Sequence, residues 1–267
     1  MIVWSEAGLP AALDDYLAPG TWTLAQIEAA LRPGQTLITG GYRVQAAPAG
    51  AYAPDGLIYH NSLIALSRSA AGLTITGLYD KYRLVPFGEY LPLDRELAPL
   101  GIKQLSTSAR ASRRGRRRVR SLHLGFRRCN RSSATRACSP ASPTRPRRAP
   151  ASARPGSSNV SDDAWFGVTS GPWQHLNLAS YRAIEEGLPM VRATPTGISA
   201  VIDAFGRTMP GKRLGQGAYG VIDAALPPQL PVTMFAVCGG TLFAAMVLLS
   251  LASTAPFWLS LSRNRQR

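Results

Sequence analysis

Cysteine is scarce in this chain of 267 residues, which contains only Cys129, Cys138 and Cys238. Their number is odd, and their spacings match neither a disulfide framework nor a zinc motif. Cys238 also lies inside an apolar run. The cysteines therefore predict neither a disulfide framework nor a zinc site, and they do not indicate a redox compartment.

Acidic residues and lysine are absent from residues 105–157, which contain fifteen arginines. The chain as a whole has a formal charge of +15, so the remainder is neutral. Such a segment would ordinarily indicate a nucleic acid or an anionic membrane as the partner. Aromatic residues that could stack on bases are missing apart from Phe126. We therefore expect no nucleic-acid partner, and we expect residues 105–158 to be disordered as translated, because they can bury little apolar area.

Apolar periodicity outside this window predicts an α+β layered domain. "TWTLAQIEAALRPG" predicts a helix with Thr21 or Thr23 as its N-cap and Pro33-Gly34 as its end. Three strands are predicted next, in "QTLITGGYRV", "GLIYHNSLIAL" and "LTITGLYDKYRLV". Beyond the window, "NVSDDAWFG" indicates a strand running into a loop, and "HLNLASYRAIEEG" a helix ending at Gly187. "MVRATPTGISAVIDAFG" then indicates two short strands.

A long apolar run follows near the C-terminus. Residues 232–251 carry no charge over a length that would be about 30 Å as a helix, which matches the hydrocarbon core of a bilayer. The run continues to Leu261, with Trp258 where an interfacial aromatic would lie, and ends in "SRNRQR". We predict a transmembrane helix over residues 232–261 and a basic cytoplasmic tail over 262–267. A buried core helix is the alternative.

Three segments present ionisable groups where apolar strands end: "VWSEAGLP", "YDKYRLVPFGEYLPL" and "NVSDDAWFG". One such group alone is usually a solvated loop residue. In this order, however, the segments resemble the carbon-nitrogen hydrolase (nitrilase) superfamily, and in particular its membrane branch, the bacterial apolipoprotein N-acyltransferases. The resemblance covers residues 1–104 and 159–267. The membrane helices that precede this domain in the family are missing, so we expect a C-terminal fragment.

The resemblance implies a fold and a reaction. The fold would be a four-layer αββα sandwich on the periplasmic side of the bacterial inner membrane, incomplete here and followed by the transmembrane helix. A Cys thiolate would take an acyl chain from a phospholipid as a thioester and pass it to the N-terminal amine of a lipoprotein. No metal or organic cofactor is implied.

The resemblance also assigns roles to residues of this chain. Glu6 matches the general base that takes the thiol proton, and Lys81 matches the cation that stabilises the oxyanion. Glu89 matches a second glutamate, which would orient Lys81 or an acceptor amine. The nucleophile should follow inside a "C-Y-E" triplet, and that triplet is absent. Cys129 and Cys138 do not match it and are interpreted as incidental thiols.

The missing triplet reappears when the arginine-rich window is read in another frame. Permitted codons for Phe126 to Pro140, read from the third base of each preceding codon, encode "LPPVQPLICYEGLFP", with the Cys near Ser133-Ala134. We hypothesise that the reading frame slips shortly after Gln104 and is restored near Asn159. As written, the chain lacks the nucleophile and is expected to be inactive.

This hypothesis divides the chain into five parts. Residues 1–104 and 159–226 would be the two halves of the hydrolase domain, and 105–158 the frameshifted segment. The last two parts are the helix at 232–261 and the tail at 262–267.

Two alternatives remain open. One is a nitrilase or amidase domain with a membrane anchor, acting on a small soluble amide. The other is a membrane-tethered basic binding protein without enzymatic activity. The second predicts salt-dependent retention on DNA or anionic vesicles that disappears when residues 110–154 are deleted.

Overall fold

The computed structural model describes residues 1–6, 8–9, 11–48, 56–81, 126–129 and 156–264. In chain order, the elements are β1 (Ile2–Val3), α1 (Leu13–Tyr16), α2 (Trp22–Ala30), β2 (Thr36–Ala46), β3 (Leu57–Ser69), β4 (Gly72–Asp80), β5 (Phe126–Cys129), β6 (Gly156–Val160), α3 (Gly171–Glu186), β7 (Met190–Ala193), β8 (Ser199–Ile202), β9 (Thr208–Leu214), α4 (Met234–Cys238) and α5 (Thr241–Asn264).

The strands form two mixed sheets. The first sheet has the order β1-β2-β3-β4, with β1 parallel to β2 and the other pairs antiparallel. The second sheet has the order β5-β6-β7-β8-β9, parallel from β5 to β7 and antiparallel from β7 to β9. Together with the helices, these sheets confirm the predicted α+β class.

Apolar side chains join the helices and sheets in three clusters. Helices α1 and α2 pack on the first sheet, where Leu13 and Ile27 join a cluster with Leu37. Helix α3 packs on the second sheet through Leu176, Ala179 and Ala183. The third cluster joins the two sheets, because Val160 of β6 packs with Ile38, Leu63 and Ala65. The core thus lies between successive layers.

Local chemistry explains where the helices begin and end. The hydroxyl of Thr21 accepts a hydrogen bond from the Leu24 amide at 3.3 Å, so Thr21 rather than Thr23 is the N-cap of α2. Helix α3 ends at Gly187, as predicted, and this glycine has the left-handed conformation with φ +64°. The three predicted strands after α2, and the two before residue 203, are also present. Strand β9 was not predicted.

The C-terminal apolar run differs from the prediction. The prediction of one continuous transmembrane helix over residues 232–261 is wrong, because the run is divided into α4 and α5 at Gly239-Gly240. Gly239 has φ +58°, which ends α4, and α4 begins only after Thr233, whose hydroxyl accepts from the Ala236 amide at 3.0 Å. Among helices in the described part of the chain, none combines the length and apolar character needed to cross a bilayer.

The boundaries of the arginine-rich window also differ from the prediction. Phe126–Cys129 forms β5 beside β6, and β6 begins at Gly156 rather than Asn159. Residues 105–125 and 130–155 lie outside the described residues.

Candidate functional site

The ends of β1, β4 and β6 lie close together. Strands β1, β2 and β4 point in the same direction, because β1 is parallel to β2 and β3 is antiparallel to both of its neighbours. Val3 near the end of β1 and Tyr79 near the end of β4 both pack against the cluster that contains Val160, the last residue of β6. The chain segments that follow β1, β4 and β6 therefore begin close to one another.

Glu6 lies on a turn that is anchored to the first sheet. The Ser5 carbonyl accepts hydrogen bonds from the amides of Gly8 and Gly40, each at 3.2 Å. A Cβ on Gly8 would lie 2.7 Å from Oγ1 of Thr39, so the turn needs glycine to approach β2 this closely. Glu6 on this turn is only 7% exposed.

Lys81 directly follows β4 and is 2% exposed. Its backbone amide donates to the Asn61 carbonyl at 2.7 Å, while the Asn61 side-chain amide donates to Oε1 of Glu6 at 2.5 Å. One residue of β3 thus contacts both segments that carry the predicted acid and amine. Lysine and glutamate side chains are rarely buried unless they have polar or charged partners, so the burial of Glu6 and Lys81 indicates a polar site inside the fold.

Asp80, the last residue of β4, ties this strand end to the rest of the sheet. Its carboxylate accepts from Nε and Nη2 of Arg43 at 3.2 and 2.9 Å, and from the Ser62 hydroxyl at 2.6 Å. Burial raises the pKa of Asp80, but the hydrogen bonds from Arg43 and Ser62 and the charge of Arg43 outweigh it, so the net pKa is lowered. The residue before Lys81 is therefore fixed to β2 and β3.

A second buried polar network lies after β6. Nδ1 of His175, on α3, lies 2.7 Å from Oδ1 of Asp163, and Nη2 of Arg192, on β7, donates to Oδ2 of Asp163 at 2.7 Å. Arg192 also donates to Oδ1 of Asn159 and, at 3.1 Å, to the Ile198 carbonyl. The Asp163 and Arg192 side chains have no exposed surface.

Arg192 and His175 change the pKa of the Asp163 carboxyl. Burial raises the pKa of Asp163, but the hydrogen bond from His175 and the positive charge of Arg192 outweigh it, so the net pKa is lowered. Asp163 also precedes the short 3-10 turn Ala164–Phe166. The network therefore fixes the start of the loop that leaves β6 at the convergence of strand ends.

Two of the residues predicted from the sequence are brought to this convergence, namely Glu6 and Lys81. Glu89 and the Ser133-Ala134 pair lie outside the described residues. Cys129 ends β5 and is paired in register with Asn159. Among the described residues, no group of three or more His, Cys, Asp or Glu side chains could hold a metal ion.

Sequence reasoning missed the residues that support the site. Asn61, Arg43 and Ser62 lie within ordinary strand sequence, and only the pairing of β2, β3 and β4 brings them together. A signal did exist for Arg192, because a charged residue inside the short apolar strand "MVRA" must find a buried partner.

The comparisons with known proteins agree with the sequence motifs. The carbon-nitrogen hydrolase family matches residues 1–231. The apolipoprotein N-acyltransferase of Caulobacter vibrioides is 46% identical over 260 residues, which are 94% of this chain and 45% of that protein. The enzymes of the same name from Bradyrhizobium diazoefficiens and Rhodopseudomonas palustris are 36% and 35% identical. These two matches include 94% and 93% of this chain, and each covers 44% of the relative. The chain thus spans less than half the length of these relatives.

Proposed function

Because this chain belongs to the carbon-nitrogen hydrolase family, we propose that its in-frame form transfers an acyl chain from a phospholipid to the N-terminal amine of a lipoprotein. The observation that carries this proposal is the burial of Glu6 and Lys81 on strand ends that meet at Asn61. The similarity to acyltransferases over almost the whole chain supports the choice of reaction. For the complete domain we propose the four-layer αββα sandwich, of which the helix and sheet packing described above is a part.

In the proposed reaction, Glu6 takes the proton of a cysteine thiol, and the thiolate attacks the acyl ester carbonyl of the phospholipid. The Lys81 ammonium stabilises the oxyanion that forms, an effect that is large in a site from which water is excluded. The ester C–O bond then breaks, and the lysophospholipid alkoxide leaves with the proton held by Glu6. An acyl-thioester remains on the cysteine.

The second half of the reaction repeats these roles with an amine. The lipoprotein amine attacks the thioester carbonyl, Glu6 accepts the amine proton, and the thiolate departs as the amide forms. We assign Glu89 to orienting Lys81 or the incoming amine. No step needs a metal or an organic cofactor. Since the donor is a membrane lipid, we place the reaction at the periplasmic face of the bacterial inner membrane.

The nucleophile is the missing part of this chain. We propose that the reading frame is shifted between about Gln104 and Asn159 and that the cysteine belongs near Ser133-Ala134. The pairing of β5 is compatible with this position, since β5 lies parallel to β6 and residues 133–134 follow it in the chain. Without the nucleophile the covalent route is lost, so we expect the chain as written to be inactive.

Trapping of the thioester tests the proposal. The frame-corrected chain is incubated with a phospholipid that carries a labelled acyl chain, and hydroxylamine-sensitive label on the protein is measured. We expect label on the frame-corrected chain and none on the chain as written. Glu6→Gln and Lys81→Met should each lower the rate of labelling at least about 100-fold.

Matched substitutions provide the control. Glu186→Gln at the end of α3 and Lys212→Met on β9 change the same residue types away from the strand ends, and they should leave labelling unchanged. Absence of label from phospholipid, with covalent labelling by a small amide instead, would assign the chain to the amidase branch. Equal effects of the site variants and the controls would show that Glu6 and Lys81 do not carry the chemistry.

A further inference from the structure

Asn61 connects the two buried groups of the candidate site, although it is itself uncharged. We propose that Asn61 is a positioning residue, which fixes the Glu6 carboxylate relative to the strand end that carries Lys81. This inference rests on the proposed roles of Glu6 and Lys81. It goes beyond them because it assigns the geometry of the pair to a third residue.

The contacts of Asn61 define this role. Its side-chain Nδ2 donates to Oε1 of Glu6, and its backbone carbonyl accepts from the Lys81 amide. The last register pair between β3 and β4 is Ser62 with Asp80, so the bond from Lys81 extends the β-ladder by one step. Asn61 therefore holds Glu6 through its side chain and Lys81 through its backbone.

The position of Asn61 in the sheet makes it a rigid support. Strand β3 lies between β2 and β4, and Asn61 is paired in register with Tyr42 of β2. On the β4 side, the neighbouring Ser62 donates to Asp80, which is also bound by Arg43. A side chain mounted on a hydrogen-bonded inner strand loses little further freedom when it orients a partner.

An amide is the side chain that suits this contact. Asparagine supplies an N–H donor to a carboxylate without adding a charge, whereas aspartate of nearly the same shape would place a second anion beside Glu6. A hydrogen bond to the ionised form of a carboxyl lowers its affinity for protons. Removal of the donor should therefore raise the proton affinity of Glu6, and replacement by a carboxylate should raise it further.

The test is an NMR titration of the Glu6 carboxyl carbon in the full chain, without frame correction. The variants are Asn61→Ala and Asn61→Asp, and the control is Asn177→Ala on the exposed face of α3. The charged or titratable groups on or beside the end of β3 that carries Asn61 include His60, Lys81 and the Arg43–Asp80 pair, and they are left intact in every variant. We expect the proton affinity of Glu6 to rise about tenfold in Asn61→Ala, more in Asn61→Asp, and not at all in the control.

Amide hydrogen exchange separates positioning from unfolding. The Lys81 amide should stay protected in Asn61→Asp, because its partner is the backbone carbonyl of residue 61. An unchanged Glu6 titration in both Asn61 variants would overturn the proposal, and so would an exchanging Lys81 amide in the unsubstituted chain. Neither result depends on acyl transfer, so the outcome is distinct from that of the thioester experiment.

Discussion

At the scale of single residues, the chain places carboxylates in its interior and surrounds them with donors. Asp163 meets His175 and Arg192, and Asp80 meets Arg43 and Ser62. Removing one member of a fully buried ion pair leaves the other charge unpaired and typically costs about 3–5 kcal/mol. This cost applies to the Asp163–Arg192 pair, whose side chains have no exposed surface, whereas the Arg43–Asp80 pair is partly exposed and should contribute less.

The pKa values of these carboxylates predict how stability depends on pH. Asp80 and Asp163 have lower pKa values in the folded protein than the ordinary value for aspartate. Their stabilising contributions are thus present above the unfolded pKa, which is about 4, and are lost as the pH falls through the folded values. We expect the free energy of unfolding, measured in urea, to fall steadily below about pH 4.

Asp163→Asn isolates the part that belongs to the second network. The variant should be much less stable than the unsubstituted chain near neutral pH, and the difference should shrink as the pH is lowered. Asp15→Asn, which changes an exposed aspartate of α1, is the control and should alter stability little at any pH. A difference for Asp163→Asn that stays constant between neutral and acidic pH would contradict the assignment.

At the scale of elements, the end of α3 is bound to the segment before α4. The Leu230 amide donates to the Gly187 carbonyl at 2.9 Å, and the Thr233 hydroxyl donates to the Glu185 carbonyl. A Cβ on Gly187 would lie 2.9 Å from Cγ2 of Thr233 and 3.2 Å from the Pro231 carbonyl oxygen. The glycine that ends α3 is therefore required both by its conformation and by the close approach of the following chain.

A pair of glycine substitutions separates these two requirements. Gly20 has φ +83°, and a Cβ added there would meet no atom within 4 Å. Gly20→Ala should therefore cost only the conformational strain of about 1–2 kcal/mol. Gly187→Ala adds a steric clash and should cost clearly more. Urea denaturation of both variants measures the difference. Equal losses would show that the segment around Thr233 does not pack against α3 in solution.

Element by element, the sequence was informative wherever a pattern is local. Thr21, Gly187 and the alternation in "LTITGLYD" carry their own structural signals, and the corresponding elements are present. The apolar run after residue 231 also has a strong local signal, but its Gly239-Gly240 pair interrupts the single helix that its hydropathy predicts. Strand β9, with the polar and glycine-containing sequence "TMPGKRL", becomes a strand only because β8 lies beside it.

At the scale of the whole molecule, the site depends on contacts between distant parts of the chain. Ile38, Leu63 and Val160 join the two sheets, and this packing sets the strand ends after Val3, Tyr79 and Val160 side by side. The motifs in the sequence could predict Glu6 and Lys81 by resemblance. They could not predict Asn61 or the Asp163 network, because those contacts arise only from strand register and sheet packing.

We propose that Glu6 and Lys81 serve a cysteine that the present reading frame does not encode. The nucleotide sequence of the codons for residues 126–140 tests it most directly. A shifted frame requires codons whose bases, read from the third position of each preceding codon, encode Cys-Tyr-Glu across Ser133 to Arg136. Codons there that are incompatible with this triplet would contradict it.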